Sequence, residues 1–246
     1  MTLKEAYATH KPLKFSFMID AYESLIGMIG GAESVRKLVE IGVWKGNSLR
    51  MWHDALPNAR IIGVDIPWTV SAFKLREDRI EVMIADQSNP EQLSEVSKEA
   101  MGADIVVDDG SHKAKDQIDA FLALYRHVRP GGLYVCEDVF LNYNEHFTTQ
   151  NEPTMLDLAS EIGCYLQIKA VNMPDIARYM QIKDEDLQDL KPSNIFSVIA
   201  GCAYGRRKST ISMDVVEQVT SSTKSVMFFQ GLVAFQKGDL PCSEST

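Results

Sequence analysis

The sequence predicts an α/β fold, a mostly parallel sheet with helices on both faces. Three observations predict it. Short apolar runs alternate with amphipathic helical stretches between residues 37 and 139, as a sheet covered on both sides requires. Glycine and proline punctuate the alternation at the joints. Successive runs end in acidic residues, and the first leads into a glycine turn, so polar chemistry gathers at one end of the strands.

Taken in order, Met18 to Ile29 has apolar residues at helical spacing, and Gly30–Gly31 stop it. Lys37 to Val43 (KLVEIGV) reads as a short buried strand. Gly46-Asn47-Ser48 then opens a helix that Pro57 ends. Arg60 to Ile66 (RIIGVDI) and Ile80 to Asp86 (IEVMIAD) are the second and third strands. Asn89-Pro90-Glu91 starts a helix, with proline at a tolerated early position. Ala103 to Asp109 (ADIVVDD) is a fourth strand. Lys113 to Val128 follows as a helix with Ile118, Phe121, Leu122, Tyr125 and Val128 on one stripe, broken by Pro130-Gly131-Gly132. Leu133 to Val139 (LYVCEDV) is the fifth strand. Past Phe140 the periodicity blurs. Helices are expected over Met155–Ile162 and Asp175–Leu190, and strands over Ser225–Phe229 and Leu232–Gln236 around Gln230–Gly231.

Composition narrows the function classes. The chain has 246 residues, enough for one sizeable core, with 45% hydrophobic and 24% charged residues. Its formal charge of −9 and the lack of a Lys/Arg cluster argue against nucleic acid as a partner. Cys136, Cys164, Cys202 and Cys242 are scattered without a CxxC pair, which suits reduced thiols in a cytoplasmic protein. Lys4, Lys11 and Lys14 are followed by no apolar signal segment, and the most apolar stretch, Ile195 to Tyr204, is too short to span a bilayer, so no membrane role is expected.

Glu40-Ile-Gly42-Val-Trp-Lys-Gly46 joins the first strand to the next helix. Glycine allows a sharp turn and a close approach of ligand to backbone, and the helix start offers free N–H groups to an anion. The G-x-x-x-G spacing does not satisfy the dinucleotide fingerprint, which disfavours a dehydrogenase. Asp65, ending the second strand, can accept hydrogen bonds from both ribose hydroxyls, and Asp86 with Gln87 at the end of the third can meet an adenine amino group. In this order, over Lys37 to Val139, the chain resembles the class I S-adenosylmethionine methyltransferases. The resemblance implies a Rossmann-like, seven-stranded sheet with an antiparallel C-terminal strand. It also implies Glu40, Gly42 and Gly46 around the methionine part, Asp65 at the ribose, and Asp86 with Gln87 at the adenine.

The fourth strand ends in Asp108-Asp109-Gly110-Ser111-His112 and the fifth in Glu137-Asp138. Neighbouring strand ends would crowd four carboxylates and an imidazole at one edge, and the carboxylates would repel unless a cation neutralises them. An all-oxygen set suits Mg²⁺, with Mn²⁺ or Ca²⁺ as substitutes, better than zinc. His112 beside the cluster is a candidate general base. Ile105 to His112, Val128 to Val135 and Glu137-Asp138 together resemble the macrocin/mycinamicin type of metal-dependent sugar O-methyltransferase. This narrower resemblance implies Asp109, Glu137 and Asp138 as metal ligands, His112 as base and Asp108 facing the cofactor.

The expected activity is S-adenosylmethionine- and Mg²⁺-dependent methylation of a sugar hydroxyl in a glycosylated natural product, of the kind found in antibiotic biosynthesis, or in a related saccharide. A catechol acceptor, an amino-sugar nitrogen and a non-catalytic accessory protein are the alternatives. One domain is expected: a helical segment (1–35), a cofactor-binding core (36–139), a substrate-side insertion (140–211), and C-terminal strands and tail (212–246). The N-terminal helix and the Met155–Ile211 segment are candidates to cover a pocket or to pack in a homo-oligomer, with core packing the default.

Overall fold

A computed structural model of the chain describes residues 1–70, 77–149, 152–170 and 211–238. The expected helix over Asp175–Leu190, together with Cys202, Cys242 and the tail from Ser243, lies outside the described residues. Within them the strands are β1 (Lys37–Ile41), β2 (Arg60–Asp65), β3 (Ile80–Ile84), β4 (Ile105–Asp108), β5 (Leu133–Glu137), β6 (Thr223–Phe229) and β7 (Leu232–Lys237). Seven expected strands are present, each within a residue or two of its sequence bounds.

The sheet order is β3-β2-β1-β4-β5-β7-β6. The pairs from β3 to β5 are parallel, and β7 runs antiparallel between β5 and β6. This is the Rossmann-like seven-stranded sheet that the resemblance implies, with β7 as its antiparallel C-terminal strand. The chain reverses its order beside β1 and β4, so their carboxyl ends flank the crevice where such sheets bind ligands.

Helices α1 (Leu3–His10), α2 (Ser16–Met28) and α3 (Asn47–Ala55) cover one face. A short helix, α4 (Pro67–Val70), follows β2. The other face is covered by α5 (Pro90–Glu99), α6 (Ala114–Leu124), α7 (Met155–Ala170) and α8 (Met213–Ser221). Alternation along each strand divides the core in two. Leu38, Ile61, Ile105, Val107 and Val135 face α1–α3, whereas Val39, Ile62, Val106, Tyr134 and Phe235 face the opposite helices.

Helix α1 falls in the segment expected to be helical (1–35), but the sequence delimits a helix there only from Met18. Its apolar signal is two buried residues, Leu3 and Ala6. Its start is nevertheless written locally, because Thr2 and Glu5 form a reciprocal capping box. Cys136 and Cys164 are free thiols. Among the described residues, no helix is long and apolar enough to cross a membrane.

Candidate active site

The glycine turn lies where the sequence puts it, but the reason for its first glycine is different. Gly42 has φ +86°, and a Cβ there would meet the Asp109 carbonyl oxygen at 2.0 Å. The residue is small because the ends of β1 and β4 close on each other, with Asp109 N–H donating to the Ile41 carbonyl at 2.9 Å. Trp44 and Gly46 also have positive φ, 47° and 76°. Gly46 is the N-cap of α3 and provides no side-chain cap, so the first turn of that helix keeps N–H groups for an anionic ligand.

The residues expected at the nucleoside brace this turn and the next. Asp65 accepts from the N–H groups of Val43 (2.8 Å) and Trp44 (3.0 Å) through Oδ2, and from Ile66 N–H (2.7 Å) through Oδ1. Asp86 Oδ1 accepts from Ser88 N–H and Oγ, which holds its carboxyl below the usual range. Gln87 is buried and bridges two loops. Its Nε2 donates to Asp108 Oδ1 (2.8 Å), and its Oε1 accepts from Ser111 N–H (3.0 Å). Asp108 is fully buried on the β5 side, where the Tyr134 hydroxyl donates to it at 3.1 Å. Burial pushes its carboxyl up to about 7, against the hydrogen bonds from Gln87 and Tyr134.

Strand parity therefore splits the acidic group that the sequence crowds onto one edge. Asp108 faces α6, while Glu40, Asp109 and Glu137 share the other face. There they meet a residue that sequence reasoning passed over. Lys14, in the link between α1 and α2, places its ammonium 2.7 Å from Asp109 Oδ2, 2.7 Å from Glu137 Oε1 and 3.1 Å from Glu40 Oε1. Its side chain is 1% exposed. Burial opposes the charge, but Asp109, Glu137 and Glu40 outweigh it and hold the amine protonated well beyond its ordinary range. The Tyr22 hydroxyl donates to the same Glu137 oxygen at 2.5 Å. Glu40 also accepts from Ser48 Oγ (2.7 Å) and Trp52 Nε1 (3.2 Å), so its carboxylate is fully engaged inside the protein.

A second cluster lies beside the first and shares Asp109. One donor atom each from Asp109, His112 and Asp138 lie within 4.8 Å of one another, all partly exposed. His112 and Asp138 both have positive φ, 58° and 53°. Such backbone is costly outside glycine and collects at functional sites. His112 Nε2 is 3.9 Å from Asp138 Oδ2, whereas its buried Nδ1 has no hydrogen-bond partner among the described residues. Burial lowers the imidazole pKa, against the pull of Asp138. It raises those of Asp109 and Asp138, assisted by Glu137 and opposed by Lys14 and His112.

Two further residues absent from the sequence reading hold this edge. Gln117, buried on α6, donates to the Glu137 carbonyl (3.0 Å) and accepts from Asn142 Nδ2 (3.0 Å), locking the chain around Asp138. An amide in an amphipathic helix gives no linear sign of that contact. Lys14 likewise lies 95 residues before Asp109 and 123 before Glu137.

The crevice at the strand ends thus holds an uncapped helix start beside a charged corner of carboxylates, an imidazole and an ammonium, and comparison with known proteins gives this arrangement a context. Residues 39–139 match the family described as a methyltransferase domain. The chain is 41% identical over 135 residues to the demethylmacrocin O-methyltransferase of Streptomyces fradiae, covering 52% of this chain and 33% of that protein. It is 40% identical over 124 residues to the mycinamicin VI 2''-O-methyltransferase of Micromonospora griseorubida, covering 48% and 30%. It superposes on the MycE methyltransferase of the mycinamycin biosynthetic pathway, solved in complex with Mg, SAH and mycinamycin VI. That match has a TM-score of 0.70 at 25% identity and covers 98% of this chain and 55% of that one. The matched region thus spans about a third of the curated relatives and about half of the solved one.

Proposed function

We infer that this chain, which carries a methyltransferase domain similar to those of the macrocin- and mycinamicin-type sugar O-methyltransferases, methylates a sugar hydroxyl in a glycosylated natural product or related saccharide. The observation that carries the reading is the convergence of Asp109, His112 and Asp138 at the carboxyl ends of β4 and β5, one loop away from the glycine turn. S-adenosylmethionine supplies the methyl group as a sulfonium. Gly42, Gly46 and the uncapped start of α3 receive its methionine part, with Glu40 beneath them. Asp65 lies at the ribose and Asp86 at the adenine, while Gln87 and Asp108 shape the floor between them.

The carboxylates fit a hard divalent cation. Asp109 commits Oδ2, and Glu137 commits Oε1, to Lys14. Among the described residues the other oxygen of each takes no hydrogen bond, and Asp138 adds a third carboxylate. Oxygen donors of this kind select Mg²⁺. The orphaned Nδ1 of His112 marks the corner as incomplete by itself. Asp109, Glu137 and Asp138 would hold Mg²⁺, which lowers the pKa of a coordinated hydroxyl and fixes its direction. His112 Nε2, on the carboxylate side of its ring, takes the hydroxyl proton. Phe140, two residues beyond Asp138, and Phe15, next to Lys14, pair edge-to-face at 6.1 Å and leave apolar surface for the acceptor's carbon skeleton.

Incubation with S-adenosylmethionine bearing a labelled methyl group and a panel of glycosides and catechols tests the reading. Label is expected on glycoside hydroxyls, to be lost in EDTA and restored by Mg²⁺. Asp138→Asn and His112→Ala should each lower kcat by about 10²-fold or more while S-adenosylhomocysteine still binds in calorimetry. Full turnover in EDTA overturns the metal, and transfer to catechols alone overturns the sugar.

A further inference from the structure

A cluster of buried carboxylates needs positive charge, and in this chain part of that charge is covalent. We propose that Lys14 is a built-in counter-cation of the acceptor corner. Its ammonium fills the inner place among Glu40, Asp109 and Glu137, and leaves the outward oxygens, with Asp138, to a single exchangeable divalent ion. The second half rests on the metal reading above; the first does not.

Three observations carry the proposal. Glu40, Asp109 and Glu137 come from three adjacent strands, and parity turns all three to the same face, so the fold creates the need for a cation by itself. Lys14 answers it with two contacts of 2.7 Å and one of 3.1 Å, from a side chain that is 1% exposed. The backbone is fixed to deliver it: Tyr7 Oη donates to the Lys14 carbonyl at 3.0 Å, and Lys14 N–H donates to Pro12 at 2.8 Å. Lys11 turns the chain out of α1 with φ 48°. Tyr22 and Trp52 donate to the same oxygens of Glu137 and Glu40 that Lys14 meets, and Ser48 donates to the other oxygen of Glu40, which closes the inner place.

The ammonium takes one oxygen from Asp109 and one from Glu137, and so acts as a positioning residue. It holds the two carboxylates at a common depth with their other oxygens unengaged, the role that hydrogen-bonded partners behind metal ligands perform. It also ties the N-terminal segment to the strand ends, which places Phe15 beside the acceptor corner.

The test is Lys14→Met and Lys14→Arg in the full chain, with Mn²⁺ as the probe ion. Metal-free Lys14→Met should melt about 10 °C or more below the wild type, because two buried carboxylates and the partly exposed Asp109 lose their shared cation. Mn²⁺ should raise its melting temperature more than that of the wild type, and calorimetry should show an added binding event. Lys14→Arg, which keeps the charge, should restore most of the stability and a single event. Equal melting and equal Mn²⁺ stoichiometry in Lys14→Met and wild type overturn the proposal.

If Lys14→Met fails to fold, acetic anhydride labelling of the wild type decides. Lys4, Lys98 and Lys115 are exposed and should be modified, while Lys14 stays protected with and without Mn²⁺. Modification of Lys14 on addition of Mn²⁺ means that the ion displaces it, and overturns the proposal. A wild-type chain that binds no Mn²⁺ while Lys14 stays protected overturns the metal reading and sustains the ammonium's place.

Discussion

Gly42 shows how one residue joins two halves of the site. Its missing side chain lets the end of β1 approach the Asp109 carbonyl, and thereby sets the depth at which the Asp109 carboxylate emerges. Gly42→Ala combines a left-handed φ with a backbone clash at 2.0 Å, so it should cost about 1–3 kcal/mol or more in urea unfolding. The same substitution should also weaken metal binding, since relief of the clash moves Asp109. The residue types at this corner were legible in the sequence. Asp109, His112, Glu137 and Asp138 stand in short motifs whose chemistry is local. The partition among them was not, because parity sends Asp108 to one face and Asp109 to the other, and only folded strands have faces. Gln87 was expected to read a base, yet its amide joins Asp108 to Ser111 inside the protein. A linear pattern cannot show which polar groups are already paired.

At the scale of elements, α1 matters because it delivers Lys14. It is a helix of eight residues, too short to be stable alone, and its stability comes from docking on α3. One polar contact of that docking is His10 Nε2 to Asp54 Oδ2, at 2.7 Å. Hydrogen bonds from His10 and then His53 hold the Asp54 carboxyl below its ordinary range. A depressed carboxyl contributes stability that is present above its unfolded pKa and is lost as pH falls through its folded one. Asp54→Asn should therefore cost about 1 kcal/mol or less at pH 6, since the pair is partly exposed. Chemical unfolding at several pH values should show the difference between the two proteins vanishing below the ordinary carboxylate range. Capping was readable here, in Thr2 and Glu5 for α1 and in Asn89 for α5. The docking was not, because Leu3 and Ala6 form too small an apolar stripe to announce a partner.

Across the whole molecule, the sheet closes by inserting β7 between β5 and β6. Leu232, Val233, Ala234 and Phe235 are all essentially unexposed, so β7 carries both core layers past the edge of β5. Gly231, at the hairpin turn, packs against Phe17 and Met18 of α2 and accepts from Val139 N–H, linking the C-terminal strands to the acceptor corner. A chain ending at Ser221 should therefore expose the β5 edge and two apolar layers, and should be recovered insoluble or without a cooperative melting transition. Strand positions, helix stripes, the glycine turn and the acidic ends were all determined by the sequence, because each depends on neighbours a few residues apart. Strand order and the seat of Lys14 were decided by tertiary structure, because they join residues as distant as Lys14 and Glu137. The sequence implied that crowded carboxylates need a cation; only the folded chain shows that one of its own lysines fills the inner place.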